Sequence, residues 1–87
     1  MKFFIKHEGK GRIRIHLGQS RMSYEQADTF LFFLQNLEEV TEAKVYDRTA
    51  DAVIYYKGSR ERVIDAIRQF HYQQTDESKP DGDQYGR

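Results

Sequence analysis

Hydrophobic and polar positions alternate along the first seventeen residues. Phe3, Ile5 and His7 alternate in one run, Ile13, Ile15 and Leu17 do so in a second, and Gly9-Lys10-Gly11 separates the two runs. Period-two alternation marks half-buried strands, and a Gly-Lys-Gly break between two of them predicts a hairpin. Folding there sets Glu8 opposite Arg12 and Ile5 opposite Ile15, so both apolar rows share a face. Beyond Arg21 the period changes. Ala27, Phe30, Leu31, Leu34 and Leu37 follow helical spacing after Ser23 and Gln26, a capping-box pair, which predicts a helix from Tyr24 to Glu38. Ala43 and Val45 then mark a third strand, and Ala52, Ile54 and Tyr56 a fourth, with Asp47-Arg48-Thr49-Ala50-Asp51 as the turn between them. Ser59 caps a second helix whose first turn holds Glu61 and whose apolar stripe is Val63, Ala66, Ile67 and Phe70.

The element order is strand, strand, helix, strand, strand, helix. The expected fold class is α+β: a ferredoxin-like sandwich with two helices on one face of a four-stranded antiparallel sheet. The usual order for that fold is βαββαβ, with the last strand beside the first. Here residues 73–87 hold one Tyr as their only apolar-leaning residue, too little to offset the entropy of ordering them. Lys2–Glu8 is therefore expected to take the edge beside Arg12–Leu17 that a terminal strand would otherwise hold. The domain spans residues 1–72, and residues 73–87 form a polar, disordered tail or linker.

Composition narrows the chemistry. The chain has 87 residues and no cysteine, which removes disulfides, thiolate metal sites, iron–sulfur clusters and a nucleophilic thiol. Its longest apolar run, Phe30 to Leu34, falls far short of the ~20 residues that span a bilayer, and a charge at Lys2 and again at Lys6 breaks the start of any signal peptide. No membrane insertion is expected, and the expected location is cytoplasmic. Charge is balanced overall but not locally. Residues 1–21 are net +5, residues 22–58 net −4, residues 59–72 net +1 and residues 73–87 net −2. A basic N-terminal quarter is a local field, suited to an anionic partner or to the protein's own acidic side.

Candidate sites are few. His7, Glu8 and His16 are the nearest to a metal set, but on the expected hairpin His7 opposes Ile13 on the helix side while His16 points away. Two imidazoles on opposite faces cannot share a zinc ion. Met1 and Met22 are a weaker signal, and His71 reads as a helix-end histidine. Ser23 reads as a cap, having no base to activate it. Glu38-Glu39 and Asp76-Glu77 read as solvated charge. Arg12, Arg14 and His16 alternate outward on the face away from the helices, where Lys44, Tyr46 and Tyr55 can join them. A basic, aromatic sheet face of this kind binds single-stranded RNA in RNA-recognition domains. The aromatic motif of those domains is absent from Ala52–Tyr56, and a pI near 6.8 argues against strong phosphate binding. Phe30, Phe32 and Phe33 surround more than one side of the first helix, so one of the last two is expected to be exposed. It would pack on the second helix, or meet a partner or a second copy.

Arg21-Met22-Ser23-Tyr24-Glu25-Gln26-Ala27 stands where the heavy-metal-associated domain family carries its Met-Thr-Cys-x-x-Cys loop, after a strand and opening a helix. Leu37-Glu38-Glu39-Val40, Ala43-Lys44-Val45 and Ala52-Val53-Ile54-Tyr55-Tyr56 also resemble that family. His7-Glu8-Gly9-Lys10-Gly11-Arg12-Ile13-Arg14 is similar to a cysteine-poor branch that begins with an extra strand and forms the N-terminus of heavy-metal-translocating P-type ATPases. Lys44 to Val53 likewise resembles those transporters. The resemblance covers about residues 3–72. It implies a non-catalytic, cytosolic regulatory or interaction domain of a metal-cation-transporting P-type ATPase, with the transporter's other cytosolic domains as partners. Met22, Tyr24 and Ala27 are then degenerate metal-loop positions. Tyr24 and Ala27 replace the two thiolates, and neither phenol nor methyl substitutes for them with Cu(I) or Zn(II). No cofactor is expected and at most weak binding of a metal cation. The sequence holds no Asp-Lys-Thr-Gly-Thr phosphorylation loop, so under this resemblance it is a fragment cut within the linker that leads to the membrane. The candidate interaction surface is Arg12, Arg14, His16, Lys44 and Tyr46. The alternative is a stand-alone RNA-recognition-like module using that open basic face for RNA or another anionic partner. A homodimer through the edge strands or an exposed Phe face is a third possibility.

Overall fold

The structure, a computed structural model, describes residues 1–72. Its elements are β1 (Phe4–Gly9), β2 (Arg12–His16), α1 (Tyr24–Gln35), β3 (Val40–Tyr46), β4 (Asp51–Tyr56) and α2 (Arg60–Gln69). The strands form one antiparallel sheet in the order β1-β2-β4-β3. The order departs from βαββαβ in that the N-terminal strand stands at the edge beside β2. The fold is α+β, with both helices on one face of the sheet. The disordered tail expected at residues 73–87 lies outside the described residues.

One core joins the helices to that face. Ile13 and Ile15 of β2, Ala52 and Ile54 of β4, Phe30 and Leu34 of α1, and Val63, Ile64 and Ile67 of α2 are all buried. Cross-strand pairing explains why: Ile13 stands opposite Ile54 and Ile15 opposite Ala52, and Ala43 and Val45 of β3 oppose the same two β4 residues. Ile64 joins the stripe of α2, while Ala66 is only half-buried. Phe33 reaches α2, with its ring 4.5 Å from that of Phe70, and Phe32 is the exposed member of the pair.

Local signals set the ends of α1. The Ser23 hydroxyl accepts from the Gln26 N–H at 3.1 Å, and the Ser23 N–H donates to Gln26 Oε1 at 3.1 Å, a complete capping box. The helix stops at Gln35 and not at Glu38 because Asn36 caps it. The Asn36 side-chain amide donates to the Phe32 carbonyl at 2.7 Å and so satisfies a group the helix end leaves without a partner.

The hairpin register differs from the expected one in its outer half. Ile5 faces Ile15 as expected, but a bulge between Ile5 and His7 shifts the rest, so Glu8 faces Ile13 and Gly9 faces Arg12. A bulge adds one residue to one strand and turns its side chains onto the other face. His7 therefore pairs with Arg14 and leaves the helix side, and Glu8 takes the helix side in its place. The Glu8 carboxylate there accepts from the Arg60 guanidinium at the start of α2, through both of its oxygens. The turn after β1 closes with Gly11 at φ +73°, where an added Cβ would lie 3.2 Å from the Tyr56 carbonyl oxygen. A left-handed backbone and a close neighbour together favour glycine there.

Candidate functional site

The sheet face away from the helices carries three ranks of side chains, set by direct strand pairing. Phe4, His16, Asp51 and Tyr46 form the first, running from β1 through β2 and β4 to β3. The second runs from Lys6 and His7 through Arg14 and Val53 to Lys44. The third holds Arg12, Tyr55 and Glu42. All five expected surface residues, Arg12, Arg14, His16, Lys44 and Tyr46, thus share this face, though Glu42 stands beside Lys44 at 3.9 Å.

Asp51 organises the face. Strand β4 begins one residue earlier than the sequence pattern indicates, so Asp51 is its first residue and not the end of a turn. Its side chain is only 3% exposed although no helix of the described residues covers it. Neighbouring side chains bury it instead. Lys6 Nζ and Arg14 Nη2 each donate to Oδ2 at 3.1 Å, and His16 Nδ1 donates to Oδ1 at 2.9 Å. Burial alone would push the Asp51 carboxyl up. The hydrogen bonds from His16, Lys6 and Arg14 outweigh it and hold the group down at about 2. An ionised carboxylate accepts only, so the His16 Nδ1 carries the proton that faces it.

Two aromatic rings flank this hub. Phe4, 65% exposed, stacks on the His16 imidazole at 6.5 Å and 18° between planes. The Arg14 guanidinium carbon lies 5.6 Å from the centroid of the Tyr46 ring, itself 43% exposed. Ionic and aromatic contacts therefore link the side chains of this face, with its two rings turned partly to solvent.

The basic patch read from the sequence is thus a mixed one. Arg14 and His16 are not free cations, since both are committed to Asp51. Periodicity starts the fourth strand at Ala52 and leaves the Asp51 carboxylate in the turn, outside the expected face. The signal was present: once Ile15 is set against Ala52, the next pair must be His16 with Asp51. The bulge that moves His7 onto the Arg14 side also leaves Lys6 in reach of Asp51, and an unbroken alternation does not show it.

The degenerate metal-loop positions do not converge. Met22 and Ala27 lie in the core at 3% and 9% exposure, while Tyr24 is 80% exposed at the first position of α1. The Met22 N–H donates to the Asp47 carbonyl at 2.7 Å, which ties this loop to the end of β3. His7 and His16 now share a side of the sheet, a correction to the expected opposition. Among the described residues no three His, Asp or Glu side chains group as metal ligands. No helix of these residues is long and apolar enough to cross a membrane. Searches of protein families, curated proteins and solved structures find no match to this chain.

Proposed function

We propose that this chain is a non-catalytic interaction domain of ferredoxin-like type that docks on a protein partner through its open sheet face. In the fuller form of the reading it is the N-terminal cytosolic domain of a metal-cation-transporting P-type ATPase, and its partners are that transporter's other cytosolic domains. The observation that carries the reading is the pre-ordered face around Asp51, with Phe4 and Tyr46 exposed at its two ends. Rigid aromatic groups beside fixed ionic groups suit a docking surface, because little side-chain entropy is left to lose on binding. The transporter assignment is supported by the framework of loop, helix and strands that resembles the cysteine-poor branch of the heavy-metal-associated domains.

The face is poorly suited to two other tasks. A carboxylate already bonded to three donors and held near 2 is a weak proton acceptor at neutral pH, so Asp51 does not serve as a general base. Asp51 also offsets part of the positive charge of Lys6 and Arg14 and ties up both groups, which weakens the reading as an RNA-binding module.

NMR titration of the labelled domain with the soluble cytosolic domains of a candidate transporter tests the proposal. Shifts confined to the Phe4, His16, Asp51 and Tyr46 rank, lost in the double variant Phe4→Ala, Tyr46→Ala, are expected. Shifts elsewhere, or none, overturn it. Submicromolar binding of Zn(II), Cu(I), Fe(II) or Mn(II) would overturn the non-metal part, and salt-dependent binding of single-stranded RNA would favour the alternative.

A further inference from the structure

The two edges of the sheet are not equivalent. On β1 the opposite charges Lys6 and Glu8 are both used within the chain, on opposite faces, by Asp51 and Arg60. The bulge between Ile5 and His7 also breaks that edge, and bulges and inward-turned charges are what protect an edge from pairing. On β3 the bulge lies near the start, between Val40 and Glu42, and Glu42 to Tyr46 is regular. Glu42 and Lys44 stand on the open face of that stretch with their side chains more than half exposed, and among the described residues their one ion pair is a loose 3.9 Å contact with each other.

This edge is complementary to itself. We infer that β3 pairs antiparallel with the β3 of a second copy of this chain about a twofold axis at Ala43. In that register Glu42 faces Lys44 of the second copy, Lys44 faces its Glu42, and Ala43 faces its own counterpart. Opposite charges directly across an antiparallel pair are stabilising and like charges are not. Moving the axis to Glu42 sets carboxylate against carboxylate, and moving it to Lys44 sets ammonium against ammonium. A slip by a single residue puts the two helix layers on opposite sides of the joined sheet. Ala43 at the axis is the smallest side chain of the strand, which eases close approach of the two backbones there.

Helix α1 supports the same arrangement. Gln35 lines a shallow groove with Val40, Thr41, Glu42 and Ala43, which identifies the flank of α1 that overhangs the β3 edge. Leu31 lies four residues and Tyr24 eleven residues before Gln35, both on that flank by helical spacing. Leu31 is half-buried and Tyr24 is 80% exposed, so this flank offers the matching helix of the second copy two apolar contacts on either side of the exposed Asp28. The result is an eight-stranded sheet with four helices on one side and both open faces on the other. It leaves the Asp51 face free and does not rest on the docking proposal.

Sedimentation equilibrium of the full 87-residue chain at up to about 1 mM tests it. A monomer–dimer equilibrium is expected for the native sequence. Glu42→Lys and Lys44→Glu should each weaken it by about 30-fold, since each turns two attractive pairs into repulsive ones. Mixing these two variants, or combining them in one chain, restores opposite charges and should recover the native affinity. A native chain that stays monomeric at about 1 mM overturns the inference, as does a combined variant that fails to recover. Because the sequence has no cysteine, Ala43→Cys gives an independent readout. Directly opposed residues lie about 4.5–5.5 Å apart at Cα, within reach of a disulfide, so this variant should cross-link rapidly under mild oxidation. Lys44→Cys, away from the axis, should not, and equal cross-linking of the two overturns the register.

Discussion

The two faces of this sheet are buried by different means. The helix-side face is covered by α1 and α2, and its residues are apolar: Ile13, Ile15, Ala52 and Ile54. Among the described residues the opposite face has no covering layer, yet Asp51 is 2% exposed and Val53 is 7% exposed. Long side chains from β1 and β2 close over Asp51, and the polar ends of Lys6, Arg14 and His16 meet on its carboxylate. Strand β4, central in the sheet, is thus buried on both sides, by packing on one and by ionic contacts on the other. Packing on the first face supplies stability. The network on the second fixes side chains that would otherwise move freely in solvent.

Single substitutions can break this comparison on either side. Phe30→Ala should cost the most, about 3–5 kcal/mol, because Phe30 is fully buried between Phe33, Phe70 and the sheet and its loss leaves a cavity. Urea denaturation checks it. Asp51→Asn should cost less, about 2–3 kcal/mol. Breaking a buried ion pair costs about 3–5 kcal/mol, but Lys6, Arg14 and His16 are each a third or more exposed and recover part of that from water. If Asp51→Asn proves as damaging as Phe30→Ala, the open face is as structural as the core. If it is neutral, the network contributes order without stability.

The difference between the faces also explains what the sequence made legible. Apolar packing follows local periodicity, so the helix-side core was readable from Ile13, Ile15, Phe30, Leu34, Ile54 and Ile67, and the start of α1 from Ser23 and Gln26. Polar burial depends on strand register, which local periodicity does not carry. One bulged residue in β1 moves His7 and Glu8 to exchanged faces, and no glycine or proline marks it. What favours the bulge is distant in sequence: Asp51 for Lys6 and Arg60 for Glu8. The end of α1 at Gln35, short of the Glu38 that periodicity predicts, has a related cause. Leu37 continues the apolar period, but Asn36 caps the helix before it.

Acid should separate the faces next. The folded Asp51 carboxyl titrates at about 2, below its ordinary value of 3.8, so the folded state favours the ionised form. Its contribution is complete above the unfolded value and is lost as pH falls towards the folded one. Stability should therefore drop by at most about 2 kcal/mol between about pH 5 and pH 2 through this group. Chemical denaturation across that range should show the drop in the native chain. The difference between native and Asp51→Asn should shrink over the same window, since protonation removes the charge the substitution removes. A difference that stays constant to pH 2 would show that Asp51 acts by shape and hydrogen bonding alone.

Lys6→Ala should give the smallest effect and localises the network's energy most sharply. Its ammonium donates to Asp51 at 3.1 Å but is 44% exposed, and exposed ion pairs contribute about 0.2–1 kcal/mol. A loss of about 0.5 kcal/mol in dilute buffer, reduced at high salt, is expected. The Asp51 carboxyl should move up in this variant and remain below its ordinary value, since Arg14 and His16 still donate to it. Carbonyl-detected NMR of the Asp51 side chain follows that titration directly. A loss as large as that of Asp51→Asn would mean that Lys6, and with it the β1 bulge that places it, is the main support of the open face and not its rim.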